Sequence, residues 1–333
     1  MSSSTMAIKV KKRWRIYLIL GVSLVSLGLL AVDFGYFAAH TIQCWSGKYG
    51  SQYYLAGCHN RRLIEYDMGA IYYGLEDGIS ETIKNAQVIV LGSSKAQAAF
   101  SSSATEAYFA KQNARFYVLG FGYNNLGGFA LPLLKHKQAN PKLLIVGADP
   151  FFITQLPPLT DDILTGDWSA YWNHVFIAGV QRLQRAVCPT FPSLCSPPFR
   201  TIYRSAKTGQ WKWLGSYFPE QSIPLNDMLH PEFTDGEFQA AVEFGERFLR
   251  EAGIDRNCIV FTGVPNNERD SPAIASRLAQ RLGTKLILPE VEPLALLDDT
   301  HLNFDSAERW SAAFLTELTS VLDSCLPRNR SRD

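Results

Sequence analysis

The sequence predicts an α/β fold: a doubly wound parallel sheet of five strands, one N-terminal transmembrane helix, and an insertion between strands three and four. Three observations predict it. Five short apolar runs each end in turn residues. Helical segments with capping signatures lie between most of them. One charge-free stretch near the N-terminus has close to the about 20 residues that span a bilayer core.

The first element is a basic tail, residues 1–15, carrying Lys9, Lys11, Lys12, Arg13 and Arg15 and no acid. Ile16 to Val32 follows without a charge, and after Asp33 the apolar character continues to Ala39. A basic flank before an apolar run predicts a single-pass signal anchor over 16–39, in the inner (cytoplasmic) membrane. The N-terminus stays cytoplasmic and the body is periplasmic or extracellular. A cleaved signal peptide is the alternative, but Phe37 stands where a small residue is wanted before Ala39. The chain has 32 basic and 31 acidic residues, so without those five bases and Asp33 it carries −3. Its body is mildly acidic, which argues against nucleic acid as a partner.

Residues 40–86 form a membrane-proximal segment with little periodicity. The α/β domain is predicted over 87–326, with a short tail at 327–333. Its strands are Gln87–Leu91, Phe116–Leu119, Leu143–Val146, Cys258–Phe261 and Lys285–Leu288. Short runs of apolar and β-branched residues are those of strands buried on both faces. Ser103 to Glu106 has capping-box spacing and opens a helix. Thr234 to Glu237 opens another, which Gly253 stops. Asp270-Ser271-Pro272 opens a third and Asp305 to Glu308 the last. In that last helix Trp310, Phe314, Leu318, Val321, Leu322 and Cys325 recur at helical spacing and should face the sheet.

Residues 151–232 interrupt the alternation with many prolines and aromatics, among them Trp168, Trp172, Trp211 and Trp213. Their faces could stack on sugar rings, or they could be the core of a small subdomain. Of the six cysteines, Cys44 and Cys58, and Cys188 and Cys195, lie in loop-like stretches that disulfides could close in an oxidising compartment. Cys258 and Cys325 are expected to be buried free thiols.

Ligands of doubly wound sheets collect at the carboxyl ends of the strands. Two motifs lie there. Gly92-Ser93-Ser94 follows the first strand, and Asp298-Asp299-Thr300-His301 lies between the fifth strand and the last helix. A serine hydroxyl is a poor nucleophile at neutral pH and needs a general base, which His301 could supply with Asp298 orienting its ring. Ser93 is the alternative nucleophile. Asp227 and His230 form a second Asp-x-x-His, within the insertion.

These residues resemble the pattern of the SGNH/GDSL hydrolase superfamily. That family has a Gly-x-Ser turn after its first strand, a Gly after the second, an Asn after the third, and Asp-x-x-His near the C-terminus. The resemblance covers roughly 85–150 and 255–325, and implies a flavodoxin-like sheet. It implies Ser94 as nucleophile, His301 and Asp298 as the rest of a triad, and Ser94 and Gly120 as oxyanion-hole donors. Where the family has Asn this chain has Asp149. An ionised carboxylate cannot donate to an oxyanion. Either Asn124 or Asn125 substitutes, or Asp149 is structural and the backbone groups act alone.

The anchor with an exported domain is similar to the members of that superfamily that decorate polysaccharides, in alginate O-acetylation and teichoic-acid alanylation. This implies a serine esterase or O-acyltransferase acting on acyl (acetyl) esters of a surface polysaccharide or exopolysaccharide. It also implies a membrane-bound acyltransferase or polysaccharide synthase as partner. Two other readings are an inactive binding or assembly protein on the same fold, and an anchored α/β protein in which the two motifs never meet. Gly120-Phe121-Gly122 lacks the third glycine of a dinucleotide fingerprint, and no Walker A or His-Glu-x-x-His motif occurs. No cofactor or metal is expected.

Overall fold

The computed structural model describes residues 17–31, 52–58, 66–122, 127–152, 158–191, 201–214, 222–225 and 234–326. Within the expected membrane span, residues 17–31 form a helix (α1) whose side chains are all exposed. Among the described residues no helix is long and apolar enough to cross a membrane.

The protein is an α/β fold around a parallel five-stranded sheet. Its strands are β2 (Val88–Ser93), β3 (Phe116–Phe121), β4 (Leu143–Gly147), β8 (Ile259–Thr262) and β9 (Lys285–Leu286), in the order β3-β2-β4-β8-β9. Each lies on one of the five apolar runs. Side chains alternate between faces, as a pleated strand requires. Ile89 and Leu91 join Leu144 and Val146 in one core layer, while Val88 and Val90 join Ile145 and Val260 in the other.

The second layer is covered by α4 (Ser94–Ala99), α5 (Ser103–Lys111) and α12 (Phe304–Cys325). Trp310, Phe314 and Leu318 of α12 are fully buried there. The first layer is covered by α6 (Gly127–His136), the short α7 (Ala148–Phe151), α10 (Asp235–Ala252) and α11 (Ser271–Leu282). Thr234 and Glu237 form the reciprocal capping box of α10, and Gly253 ends it in the left-handed conformation. Two other helices start one or two residues before their expected openings. Ser102 caps α5 and Asn303 caps α12, because their side chains, and not those of Ser103 and Asp305, accept the unpaired helical N–H groups.

The segment expected to lack periodicity and the insertion are two parts of one structure. β1 (Tyr53–Cys58) pairs antiparallel with β5 (Thr201–Ser205), which pairs with β6 (Trp211–Leu214). Helix α2 (Tyr66–Tyr73) packs on β1 and on α9 (Trp168–Val187) of the insertion. Helix α8 (Pro158–Thr165) packs on α2 and α9 of this part, and α3 (Ile79–Asn85) leads into β2. A short ribbon, β7 (Ile223–Pro224) with β10 (Ala295–Leu296), joins the insertion to the loop before α12.

The expectation for Cys258 and Cys325 is corrected. They form a disulfide that ties the start of β8 to the end of α12. Strand start and helix end meet because α12 runs antiparallel to the strands beneath it. Cys188 is also disulfide-bonded, while Cys44 and Cys195 and the Cys58 side chain lie outside the described residues.

Candidate active site

Each of β2, β3 and β4 carries a glycine at its last or next-to-last position: Gly92, Gly120 and Gly147. Their role is steric. A Cβ on Gly92 would stand 2.6 Å from the Ala96 methyl, and one on Gly147 would stand 2.8 Å from it. A Cβ on Gly120 would collide with Gln97. Helix α4 can therefore start directly at the end of β2 and lie on the sheet edge. Ser93 ends the strand and its Oγ accepts from the Lys95 N–H at 3.2 Å, capping the helix. Ser94 is the first helical residue and is half-buried at the sheet edge.

The Ser94 hydroxyl meets the second motif. His301 Nε2 lies 2.8 Å from Ser94 Oγ. On its other side, His301 Nδ1 lies 3.0 Å from both Oδ1 and Oδ2 of Asp298. A carboxylate accepts only, so Nδ1 carries the proton and Nε2 is left to accept from the serine. Burial pulls the Asp298 carboxyl upward, but the His301 ring and the N–H groups of Thr300 and His301 outweigh it. The result is a carboxyl held at about 2, below the ordinary carboxylate range. Asp298 is thus an anion that fixes one tautomer of the imidazole.

The loop carrying both residues is braced on every side. Leu297 N–H donates to the His301 carbonyl at 2.8 Å, and Asn267 N–H to the Asp299 carbonyl at 2.9 Å. Thr300 Oγ1 donates to Glu268 Oε1 at 3.1 Å, and Glu268 Oε2 lies 3.5 Å from the buried Lys95 ammonium. Lys95 adjoins Ser94, so one carboxylate links the serine's helix to the histidine's loop. Trp213 sets its ring edge-on to His301, with centroids 5.5 Å apart, and also contacts Phe304. Trp211, two residues earlier on β6, contacts Trp213 with its ring, and its backbone N–H donates to Ser101 Oγ at 2.7 Å.

The other sequence-selected residues fall elsewhere. Trp168 and Trp172 pack on each other along α9, which lies against α2. Asn124, Asn125, Asp227 and His230 lie outside the described residues, as does the Asp149 side chain. At Gly120 the N–H donates to the buried Gln97 Oε1 at 2.8 Å, and the carbonyl accepts from Arg204 Nη2 at 2.7 Å. Its backbone braces α4.

That brace escaped the sequence reading. Arg204, on β5, is fully buried. It pairs with Asp67 at 2.8 Å and donates to Gln97 Oε1 and to the carbonyls of Val118, Gly120 and Gly209. Tyr54 donates its hydroxyl to the same Asp67 at 2.7 Å. Gln97 stands one turn after Ser94, so the insertion is keyed to the serine's helix from beneath. No sequence signal marks it, because an arginine in a polar, irregular stretch reads as a surface residue.

No family model, no curated protein and no solved structure matches this chain. Among the described residues no three His, Cys, Asp or Glu side chains are grouped to hold a metal ion.

Proposed function

We propose that the protein is a membrane-anchored, exported serine esterase or O-acyltransferase of the SGNH/GDSL type, acting on acyl (acetyl) esters of a surface polysaccharide. One observation carries the reading: the chain of contacts from Ser94 Oγ through the His301 ring to the Asp298 carboxylate. A hydroxyl, an imidazole of fixed tautomer and an ionised carboxylate in that order are the parts of a serine-nucleophile triad.

In the proposed reaction Ser94 Oγ attacks the ester carbonyl carbon, and its proton passes to His301 Nε2. The tetrahedral oxyanion is held by the Ser94 N–H at the start of α4. The C–O bond of the ester breaks, and the departing alkoxide takes the proton from His301. The acyl group is now on Ser94. His301 then deprotonates water or a sugar hydroxyl, which attacks the acyl carbon, and Ser94 recovers its proton. Water as acceptor makes an esterase, and a bound glycan makes a transferase. Trp213, beside His301, offers a ring face to a sugar at the point of transfer.

Two further features support export. The basic tail and apolar run of residues 1–32 fit a signal anchor with the body outside the cytoplasm. The Cys258–Cys325 disulfide and the bonded Cys188 fit an oxidising compartment. A membrane-bound acyl donor or polysaccharide synthase is the partner this placement suggests. The commitment of the Gly120 N–H to Gln97 favours a second reading, a binding or assembly protein with one oxyanion donor too few.

A serine-directed fluorophosphonate decides between them. The full-length protein in membranes should form an adduct at Ser94, absent in Ser94→Ala. Absence of an adduct on the folded wild type, or an undiminished one on Ser94→Ala, would overturn the catalytic reading.

A further inference from the structure

Helix α9 turns large apolar side chains to both sides. Its inner face buries Ile177, Ala178 and Val180 together with the polar His174, Gln181 and Gln184. Gln181 is fixed there, its Oε1 accepting from the Leu55 N–H of β1 at 3.1 Å. The outer face carries the large apolar side chains: Trp168 is 71% exposed, Trp172 49% and Leu183 50%. Intervals of four and eleven residues return to the same face of a helix, the exposed Phe176 and Gly179 lie in the stripe between them, and Ala186 extends it. Phe191, just past the helix, is 56% exposed. Soluble surfaces rarely leave such a stripe uncovered.

We infer that this face of α9 lies on the outer surface of the lipid bilayer, with Trp168 and Trp172 at headgroup depth. Three observations favour lipid over a protein partner. Tryptophan is the side chain enriched at the boundary between hydrocarbon and water, and here two meet Tyr171 in one cluster. The twenty residues of α9 include no acid, although the body as a whole is acidic, and the exposed Asp161, Asp162 and Asp167 stand before its first turn, so the stripe itself brings no negative charge to anionic headgroups. Third, α9 is bound to β1, the first described strand after the apolar N-terminal stretch. Residues 32–51 alone separate that stretch from the first described residue of the body. A tether of that length keeps α9 beside the membrane and makes a weak interfacial affinity sufficient.

The inference rests on the anchored, exported reading for which side of the bilayer is met. Docked this way, the body would be held in one orientation, and its serine site at a fixed height above the lipid.

The test uses the full-length chain reconstituted in phosphatidylethanolamine/phosphatidylglycerol vesicles, with and without bromine on the acyl carbons nearest the headgroups. Trp14 and Trp45 flank the apolar stretch and give the same background in every variant. Wild-type tryptophan emission should be quenched by brominated lipid beyond that background. Trp168→Ser/Trp172→Ser should lose most of the excess. Equal quenching of the two proteins overturns the proposal. So does an oligomer in detergent that the double substitution dissociates without changing the quenching, since the face then belongs to a second copy. Release of the chain from the vesicles by alkaline carbonate would sink the anchor reading alone, because quenching at neutral pH still reports on α9.

Discussion

Ser94 Oγ and His301 Nε2, 207 residues apart in the chain, lie 2.8 Å from each other at the carboxyl edge of the sheet. Nothing local holds them there. The serine is fixed by glycines that let α4 lie on the strand ends, and the histidine by a loop pinned to Asp298, Asn267 and Glu268.

The two adjacent serines should behave differently. Ser93→Ala removes the cap of α4 and should cost about 0.5–2 kcal/mol of stability while turnover persists. Urea unfolding together with an ester assay checks it. Loss of all turnover in the folded Ser93→Ala variant would move the nucleophile by one residue.

Asp298 should set the tautomer without setting the acid limit of activity. Its folded value of about 2 is below the ordinary carboxylate value, so its ionised form contributes stability at pH above about 4. That contribution fades as pH falls from about 4 toward 2, and it is small because the side chain is half-exposed. Between pH 4 and 9 the carboxylate stays charged. Asp298→Asn should lower kcat by about 10³–10⁴-fold at neutral pH, as expected when the ring loses its fixed tautomer. A pH–rate profile of both forms is the measurement.

Removing the buried guanidinium should be costly far from the reacting atoms. Arg204→Ala strands Asp67 in the interior and frees three carbonyls and Gln97 beneath α4. The expected loss is about 3–5 kcal/mol, read from the urea midpoint. A loss below about 1 kcal/mol would mean that the ion pair is solvated.

The disulfide closes a loop between residues 67 positions apart. Cys258→Ser/Cys325→Ser should lower stability by about 2–4 kcal/mol. Both residues lie at the amino end of β8, away from the carboxyl edge that holds Ser94, so kcat should be unchanged in the protein that remains folded. Thermal unfolding with and without reductant reports the first effect.

The core sheet was legible because both-face burial leaves uninterrupted apolar runs, as in Val88–Leu91 and Leu143–Val146. Where the serine and histidine motifs fall was legible too, since a parallel sheet gathers its strand-end turns at one edge. The antiparallel part was not. β1 and β5 are about 150 residues apart, and neither shows a clean alternation, because both are mostly buried. Arg204, Gln97 and Glu268 act through contacts between distant segments, which no spacing encodes. Gly92, Gly120 and Gly147 make room for the protein's own helix, a steric need that only the packed structure reveals.

The central claim is that the serine and the imidazole act as one unit. Hydrolysis of a small acetyl ester by full-length wild type, Ser94→Ala, His301→Ala and the double variant tests it most directly. Each single substitution should lower kcat by about 10³-fold or more, and the double should be no worse than either alone. Turnover retained in either folded single variant, or losses that multiply in the double, would contradict it.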